Sequence, residues 1–423
     1  MPKKEKEKKV TKPTGQERKR GEIVVGLDIG TTKICTIVGE VFPDQVDIIG
    51  MGVHPSIGMR KGVVVNIEAT VNSIKRSVKE AEVMAGCQIS SVFVGIAGSH
   101  VKGVNSDGVI ALKNHEISQD DIARVVENAK AIPLTQEQEV LHVLPQEFIV
   151  DGQGGIQDPL GMAGVRLEAE VHIVTGSATA IHNIVKCCNK AGLDVDDVVL
   201  EPVASAHAVL TEEEQELGVG LLDIGGGTSD LAVFADNCIR QTFVLGIGGD
   251  NLTNDLSHGL RTPLQEAERL KEKYGCAIAS LIDKDQVIEV PSVGEKKPRK
   301  LSQRVMGEIL EPRVEEMLTL INQQMIDNKV KSKVHAGIVM TGGSSLLAHM
   351  VDLAEQIFDM PVRIGYPRHV GGVTDLVNTP QCATGVGLLL YGAKHEPGQF
   401  LVDNGPMLGK ISKKIKSFFK RVM

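Results

Sequence analysis

The chain has no tryptophan, and only 3% of its 423 residues are aromatic. Single-stranded nucleic acid is held by stacking bases on aromatic side chains along a basic groove, so nucleic-acid binding is not expected. The seven cysteines (Cys35, Cys87, Cys187, Cys188, Cys238, Cys276 and Cys382) are odd in number and scattered, with no C-x-x-C spacing. That excludes a disulfide framework and a cysteine zinc site, and it fits a reducing compartment. The twelve histidines show no metal-ligand spacing. No apolar run reaches the ~18 residues needed to cross a bilayer. No signal-type apolar stretch follows the charged first twenty residues. A Walker A phosphate loop, G-x-x-x-x-G-K-[ST], is also missing.

What is present is a folded composition, 42% hydrophobic and 24% charged with 45 glycines. At roughly 100–200 residues per domain, the length implies several domains. The net charge of −8 is unevenly spread. Residues 1–20 carry a net +6, residues 409–423 another +6, and the body between them −20. The basic ends are therefore the expected meeting points with an anionic surface. Residues 1–20 read as a disordered, solvated Lys/Glu tail.

Order is expected from Ile23. Ile23–Gly30 is an apolar strand ending in Asp28-x-Gly30, followed by a small-residue turn and a returning strand at 34–39. Periodicity predicts a helix at 67–85, a strand at 92–96, and a small α+β module over 101–174. That module holds a helix at 120–130, strands at 140–150 and 167–174, and a Gly-rich connection at 151–164. A helix at 178–191 and a strand at 195–200 follow. Gly220–Asp230 then repeats the opening motif, a strand ending in Asp223, a turn Gly225-Gly226-Gly227-Thr228, and a returning strand. Two such copies about 195 residues apart imply two related halves that face each other. Charged helices are expected at 249–274 and 303–329, a strand at 337–341 leading into a helix to Phe358, and an apolar helix at 383–391.

The turns carry phosphate chemistry. Backbone N–H groups of a Gly-rich turn point at phosphate oxygens, and small residues let the backbone come close. This assigns Gly30, Thr31, Thr32 and Lys33, with Gly225, Gly226, Gly227 and Thr228, to a nucleotide. Asp28 and Asp223 are placed to hold Mg²⁺ through its waters. Gly342 and Gly343 offer a backbone platform for a purine. Glu268 and Lys271 share a helix face suited to ribose hydroxyls, although their spacing also suits an ordinary surface ion pair.

The terminal segment is a separate signal. Ile411, Ile415, Phe418, Phe419 and Val422 form one apolar stripe, with Lys413, Lys414, Lys416, Lys420 and Arg421 on the remaining surface. Such a helix lies in a membrane interface. Docking on the protein's own core and a calmodulin-type target helix are the alternatives. Residues 394–408 read as its linker.

Asp28-x-Gly-Thr-Thr, Glu201-Pro, Asp223-x-Gly-Gly-Gly-Thr and Thr341-Gly342-Gly343 together resemble the actin-like ATPase superfamily. Asp158–Leu167, Val290–Gly294, Gly337–Gly343 and the basic terminal helix are similar to its bacterial cell-division family FtsA, over about residues 21–423. The resemblance implies an α/β, two-lobed fold of duplicated ribonuclease-H-like sheets with an inserted α+β subdomain and an amphipathic C-terminal helix. It divides the chain into subdomain 1A (21–100, 175–216, with a return at 373–393), 1C (101–174, SHS2-like), 2A (217–253, 331–372) and 2B (254–330). It implies ATP and Mg²⁺ between the lobes and at most weak ATPase activity, with Glu201 orienting the attacking water; Glu201 also reads as a structural residue before Pro202. It further implies self-association into filaments on the cytoplasmic face of the inner membrane at the division site. There the family recruits later divisome proteins and captures the C-terminal tail of the tubulin-like protein FtsZ through 2B. Lys296, Lys297 and Arg299 fall in that region, either as a patch for this tail or as a solvated loop. A small-molecule kinase of the same superfamily and an actin-like pilus-assembly adaptor are the competing functions. The basic N-terminal tail is outside the family pattern.

Overall fold

The computed structural model describes residues 21–283, 285–294 and 297–394. The chain opens with strands β1 (Glu22–Ile29) and β2 (Lys33–Val41), an antiparallel hairpin turned at residues 30–32. Strand β3 (Val46–Pro55), the short hairpin β4 (Met59–Arg60) and β5 (Val63–Val64), helix α1 (Ile67–Ala85) and strand β6 (Ser91–Ile96) complete the first segment. Val24 to Ile29 are all buried, as expected of a central strand covered on both faces. Helix α1 starts where the Asn66 side chain accepts from Ala69 N at 3.1 Å, satisfying one of the first-turn amides. It buries Val71, Ile74, Val78 and Ala81, one stripe at helical spacing.

An insertion follows with its own sheet, β7 (Lys102–Ala111), β8 (Gln138–Val150), β9 (Gln153–Ile156) and β10 (Arg166–Ser177), in the order β7-β10-β8-β9. Helix α2 (Gln119–Ala129) covers it, and Ile122, Val125, Phe148, Leu167 and Ile173 form a separate core. Helix α3 (Ala178–Ala191), strand β11 (Asp194–Leu200) and helices α4 (Glu201–Val209) and α5 (Glu212–Leu217) return to the first lobe and lead out of it.

The second lobe contains β12 (Val219–Ile224), β13 (Ser229–Ala235), β14 (Cys238–Leu245), α6 (Gly249–Leu260), α7 (Leu264–Tyr274), the hairpin β15 (Val287–Val290) and β16 (Arg299–Ser302), α8 (Gln303–Asp327), β17 (Ile338–Thr341), α9 (Met350–Phe358) and β18 (Val362–Ile364). Strand β19 (Gly371–Gly372) then rejoins the first sheet beside β3, and helix α10 (Ala383–Lys394) packs on α4 and β1.

The two large sheets share one topology. The first runs β3-β2-β1-β6-β11 with β19 at its edge, and the second runs β14-β13-β12-β17-β18. In both, a central strand pairs antiparallel to its hairpin partner on one side and parallel to a later strand on the other. The duplication expected from the repeated motif is therefore present in the backbone pairing, and the fold is actin-like with an inserted subdomain.

Two sequence expectations need correction. The helix predicted over 249–274 is two helices. Arg261 adopts a left-handed φ of 49°, and Pro263 cannot extend the preceding helix. No strand was anticipated at β3, β7, β14 or the β15–β16 hairpin. Strand β7 buries only Gly108 among its ten residues, so it lacks the apolar alternation that marks a strand in sequence. The linker 394–408 (apart from Lys394, which ends α10) and the membrane helix 409–423 lie outside the described residues, as do the tail 1–20 and Lys296.

Candidate functional site

Backbone register assembles the acidic centre. On β12, Asp223 lies between Asp230 of β13 and Thr341 of β17, its direct pairing partners. Asp28 occupies the corresponding place on β1, opposite Cys35 of β2. Strand β11 ends at Leu200, so Glu201 enters the same region as the first residue of α4. The two Gly-rich turns touch. A Cβ on Gly226 would lie 2.1 Å from Thr32 Oγ1, so any side chain here would push Thr32 away from the second turn. Thr31 Oγ1 accepts from Gly62 N at 3.1 Å, which fixes the first turn against the loop after β4.

The electrostatics are those of crowded, buried acids. Burial, together with repulsion from Asp223, outweighs attraction to Lys33 and raises Asp28 to about 6. Burial raises Asp230 to about 8 against the hydrogen bond from Thr228, with Asp223 adding to the rise. Glu201 is pushed well above the carboxylate range by burial and then by Asp28, Asp230 and Asp223. Asp223 is also raised by burial, although the Ser205 and Thr384 hydroxyls donate to its Oδ2 at 3.1 and 3.2 Å. Burial opposes the Lys33 ammonium, but the neighbouring thiols Cys35 and Cys382 and the two aspartates hold its pKa above the ordinary value.

The four carboxyls are crowded enough that burial and mutual repulsion favour their protonated forms, and a divalent cation would favour the charged ones. Among the described residues, no three His, Cys, Asp or Glu side chains converge as a direct ligand set. That donor chemistry fits a Mg²⁺ that keeps its waters and meets carboxylates through them. Asp230 strengthens the fit. Its Oδ2 accepts from Thr228 Oγ1 at 2.8 Å, whereas its buried Oδ1 has no partner among the described residues. A buried carboxyl oxygen left in that state needs a hydrogen-bond partner, which a water at the site would supply.

The other assigned residues gather around the second turn. Lys271 Nζ donates to Glu268 Oε2 at 2.8 Å, to Thr253 Oγ1 at 2.8 Å and to the Gly249 carbonyl at 3.1 Å. Gly249 N in turn donates to the Gly225 carbonyl at 2.9 Å. The Lys271 side chain is only 11% exposed, so the pair belongs to a built network at the start of α6 and is not a free surface ion pair. Ser344 Oγ also donates to the Gly225 carbonyl, at 3.1 Å, tying the Gly342–Gly343 platform to the same turn. Gly342 has a φ of 82°, and a Cβ there would lie 2.4 Å from Asp223 Oδ1, so only glycine lets this platform close on the acid. Lys33 Nζ donates to the Gln381 carbonyl, and Gln381 packs beside Gly343.

Lys297 and Arg299 belong elsewhere, at the β15–β16 hairpin. Arg299 donates to the Leu260 carbonyl, so part of its hydrogen-bonding capacity is used internally. The sequence reading missed Asp230, Ser205 and Thr384. Asp230 had a signal, an acid at the head of the otherwise apolar strand Leu231–Phe234 and two residues after Thr228. Ser205 and Thr384 had none, since each reaches Asp223 only through the packing of α4 and α10.

Comparison with known proteins identifies relatives of this chain and of its fold. A family model described as "Cell division protein FtsA" matches residues 220–387, and one described as "SHS2 domain inserted in FTSA" matches residues 98–175. The chain is 51% identical over 377 residues to the cell division protein FtsA of Pseudomonas aeruginosa, covering 89% of this chain and 90% of that one. It is 40% identical over 410 residues to FtsA of Escherichia coli K12, covering 95% and 96%. Among solved structures it resembles a chain of a PilM–PilN type IV pilus biogenesis complex, with a TM-score of 0.63 and 16% identity over 88% of this chain and 99% of that one. MreB5 of Spiroplasma citri bound to ADP is similar at a TM-score of 0.55 and 14% identity, covering 88% and 96%. Likeness at that identity concerns the fold alone.

Proposed function

Because the chain belongs to the FtsA family of cell division proteins, we propose that it is an ATP-binding, actin-like filament protein that ties the FtsZ ring to the inner membrane and recruits later division proteins. The observation that carries this reading is the pair of Asp-x-Gly turns in contact across the lobes, with Asp28 and Asp223 at their strand ends. Gly30 to Lys33 and Gly225 to Thr228 would hold the phosphates, Glu268 and Lys271 the ribose, and Gly342 and Gly343 the adenine. When bound, Mg-ATP would bring a divalent cation to the acidic cluster and phosphate charge suited to Lys33 and the turn amides. Glu201 would orient a water, and Asp230, whose buried Oδ1 has no partner among the described residues, would hold a proton. Any hydrolysis would be slow.

The kinase alternative has no support beyond the shared fold, and a basic terminal helix would serve a small-molecule kinase no purpose. The likeness to the PilM chain also concerns the fold alone.

Among the described residues no helix is long and apolar enough to cross a membrane. Membrane attachment therefore falls to the sequence pattern at 409–423, with Ile411, Ile415, Phe418 and Phe419 entering the lipid and Lys413, Lys414, Lys420 and Arg421 meeting anionic headgroups. Each basic residue near an anionic leaflet contributes about 1 kcal/mol. Placing a carboxylate on the apolar stripe opposes both terms. Phe418→Glu is expected to abolish co-sedimentation with anionic vesicles and to leave Mg-ATP affinity unchanged; co-sedimentation equal to wild type would remove the anchor from this account. Capture of the acidic FtsZ tail is assigned to subdomain 2B, with Lys297 and Arg299 at its rim.

A further inference from the structure

Strand β14 of the second lobe has two attachments that no functional reading so far uses. At its start it is bonded to three strands of the insertion. Asn105 of β7 donates from Nδ2 to the Arg240 carbonyl at 3.1 Å, and Gln146 of β8 donates from Nε2 to the Ile239 and Arg240 carbonyls at 2.7 and 3.1 Å. His172 of β10 lies 2.9 Å from Thr242 Oγ1 through Nε2 and 2.6 Å from Asn105 Oδ1 through Nδ1. The directions are fixed by elimination. Since the Asn105 amide nitrogen donates to a carbonyl, its oxygen accepts from His172 Nδ1–H, and the bare Nε2 accepts the Thr242 hydroxyl proton. His172, Gln146 and Thr242 are all buried.

At its end β14 runs into the second phosphate turn. Leu245 pairs with Ser229, and Ser229 Oγ donates to the Ile247 carbonyl at 2.8 Å. Gly249 N and Asp250 N then donate to the Gly225 and Gly226 carbonyls at 2.9 and 2.8 Å. Thr242 and Leu245 are three residue steps apart, about 10 Å of extended chain. One flank of this stretch is not packed. A cavity of about 370 Å³ lies between β7, β14 and α8, lined by Val104, Gln241, Phe243, Leu320 and Gln324 among others. The buried Gln241 Oε1 beside it has no partner among the described residues. β14 is laddered to β13 from Ser229–Leu245 to Ala235–Cys238, so it carries a displacement from one end to the other together with that strand, and the open flank leaves the pair room to move.

We propose that β14 is a mechanical link through which the second phosphate turn and the insertion report on each other, so that nucleotide occupancy sets the insertion's attachment to the second lobe. The proposal rests on the nucleotide site argued above. Linkage makes it reciprocal: whatever binds the insertion and alters its hold on β14 alters nucleotide affinity by the same factor.

The test is hydrogen exchange on the full-length protein with and without saturating Mg-ATP, paired with calorimetric titration of Mg-ATP on the same samples. In wild type, the nucleotide is expected to change exchange about fivefold or more at Gly225–Thr228 and also in β7, β8 and β10. Thr242→Val, which removes the hydroxyl bonded to His172 but leaves the Asn105 and Gln146 bonds to β14, should retain the change at the turn and weaken it in the insertion. Thr242→Ser, which keeps the hydroxyl, should restore it, and this second variant separates loss of the bond from loss of the fold. Titrated binding with no change in the insertion, or an unaltered insertion response in Thr242→Val, overturns the link and leaves the nucleotide site standing. Failure of Mg-ATP to bind overturns both.

Discussion

Asp223→Asn is expected to weaken Mg-ATP binding about 10- to 100-fold in isothermal titration, the usual loss when a group that orients a metal's waters is removed. That is about 1.4–2.7 kcal/mol. The same substitution should not destabilise the nucleotide-free protein. Asn keeps an oxygen that accepts from Ser205 and Thr384 and removes one of four crowded acids. Thermal unfolding without nucleotide is therefore expected at or above the wild-type temperature. A merely structural Asp223 would behave the opposite way, with stability falling and affinity unmoved, and that pair of results would remove the metal assignment.

Acid should loosen the fold through His172. Burial lowers this imidazole from its ordinary 6.5 to about 4, because the charged form would be cut off from water there. A histidine with a depressed native pKa contributes stability that is complete above 6.5 and lost as the pH falls toward 4, because the unfolded chain takes up the proton first. Across that window the loss is about 3 kcal/mol. The buried acids act with the opposite sign. Asp28 and Asp230, raised to about 6 and about 8, favour the nucleotide-free fold at low pH and disfavour it as the pH rises through those values. The variant His172→Gln isolates the histidine. In urea unfolding, wild type should lose about 3 kcal/mol more than the variant between neutral pH and the native pKa of His172. Parallel pH profiles for the two proteins would show that His172 is not held neutral by burial.

Much of this architecture was legible in sequence, for identifiable physical reasons. Val24–Leu27 and Val219–Leu222 are continuous apolar runs stopped by Asp-x-Gly, so the strand, its central position and its functional end are all written in one short segment. Helix α1 carries its cap and its stripe in adjacent residues. Pro263 was also in plain view, and reading across it merged α6 with α7. What was not legible depends on pairing between distant segments. Strand β7 exists because β10 offers it a ladder, and its own residues are largely exposed. Asp230 joins the acidic centre through register with Asp223, and Ser205 and Thr384 join it through packing. The β14 link requires three insertion strands and one strand of the other lobe, between 67 and 135 residues apart along the chain.

The central claim is that nucleotide binding between the lobes and the terminal amphipathic segment act together to place filaments on a membrane. Electron microscopy of the full chain on anionic vesicles with Mg-ATP, beside a chain lacking residues 409–423, tests it most directly. Filaments on the vesicle surface are expected for the full chain with Mg-ATP, and bare vesicles for the truncated one. Bare vesicles with the full chain, or equal decoration by both chains, would contradict it.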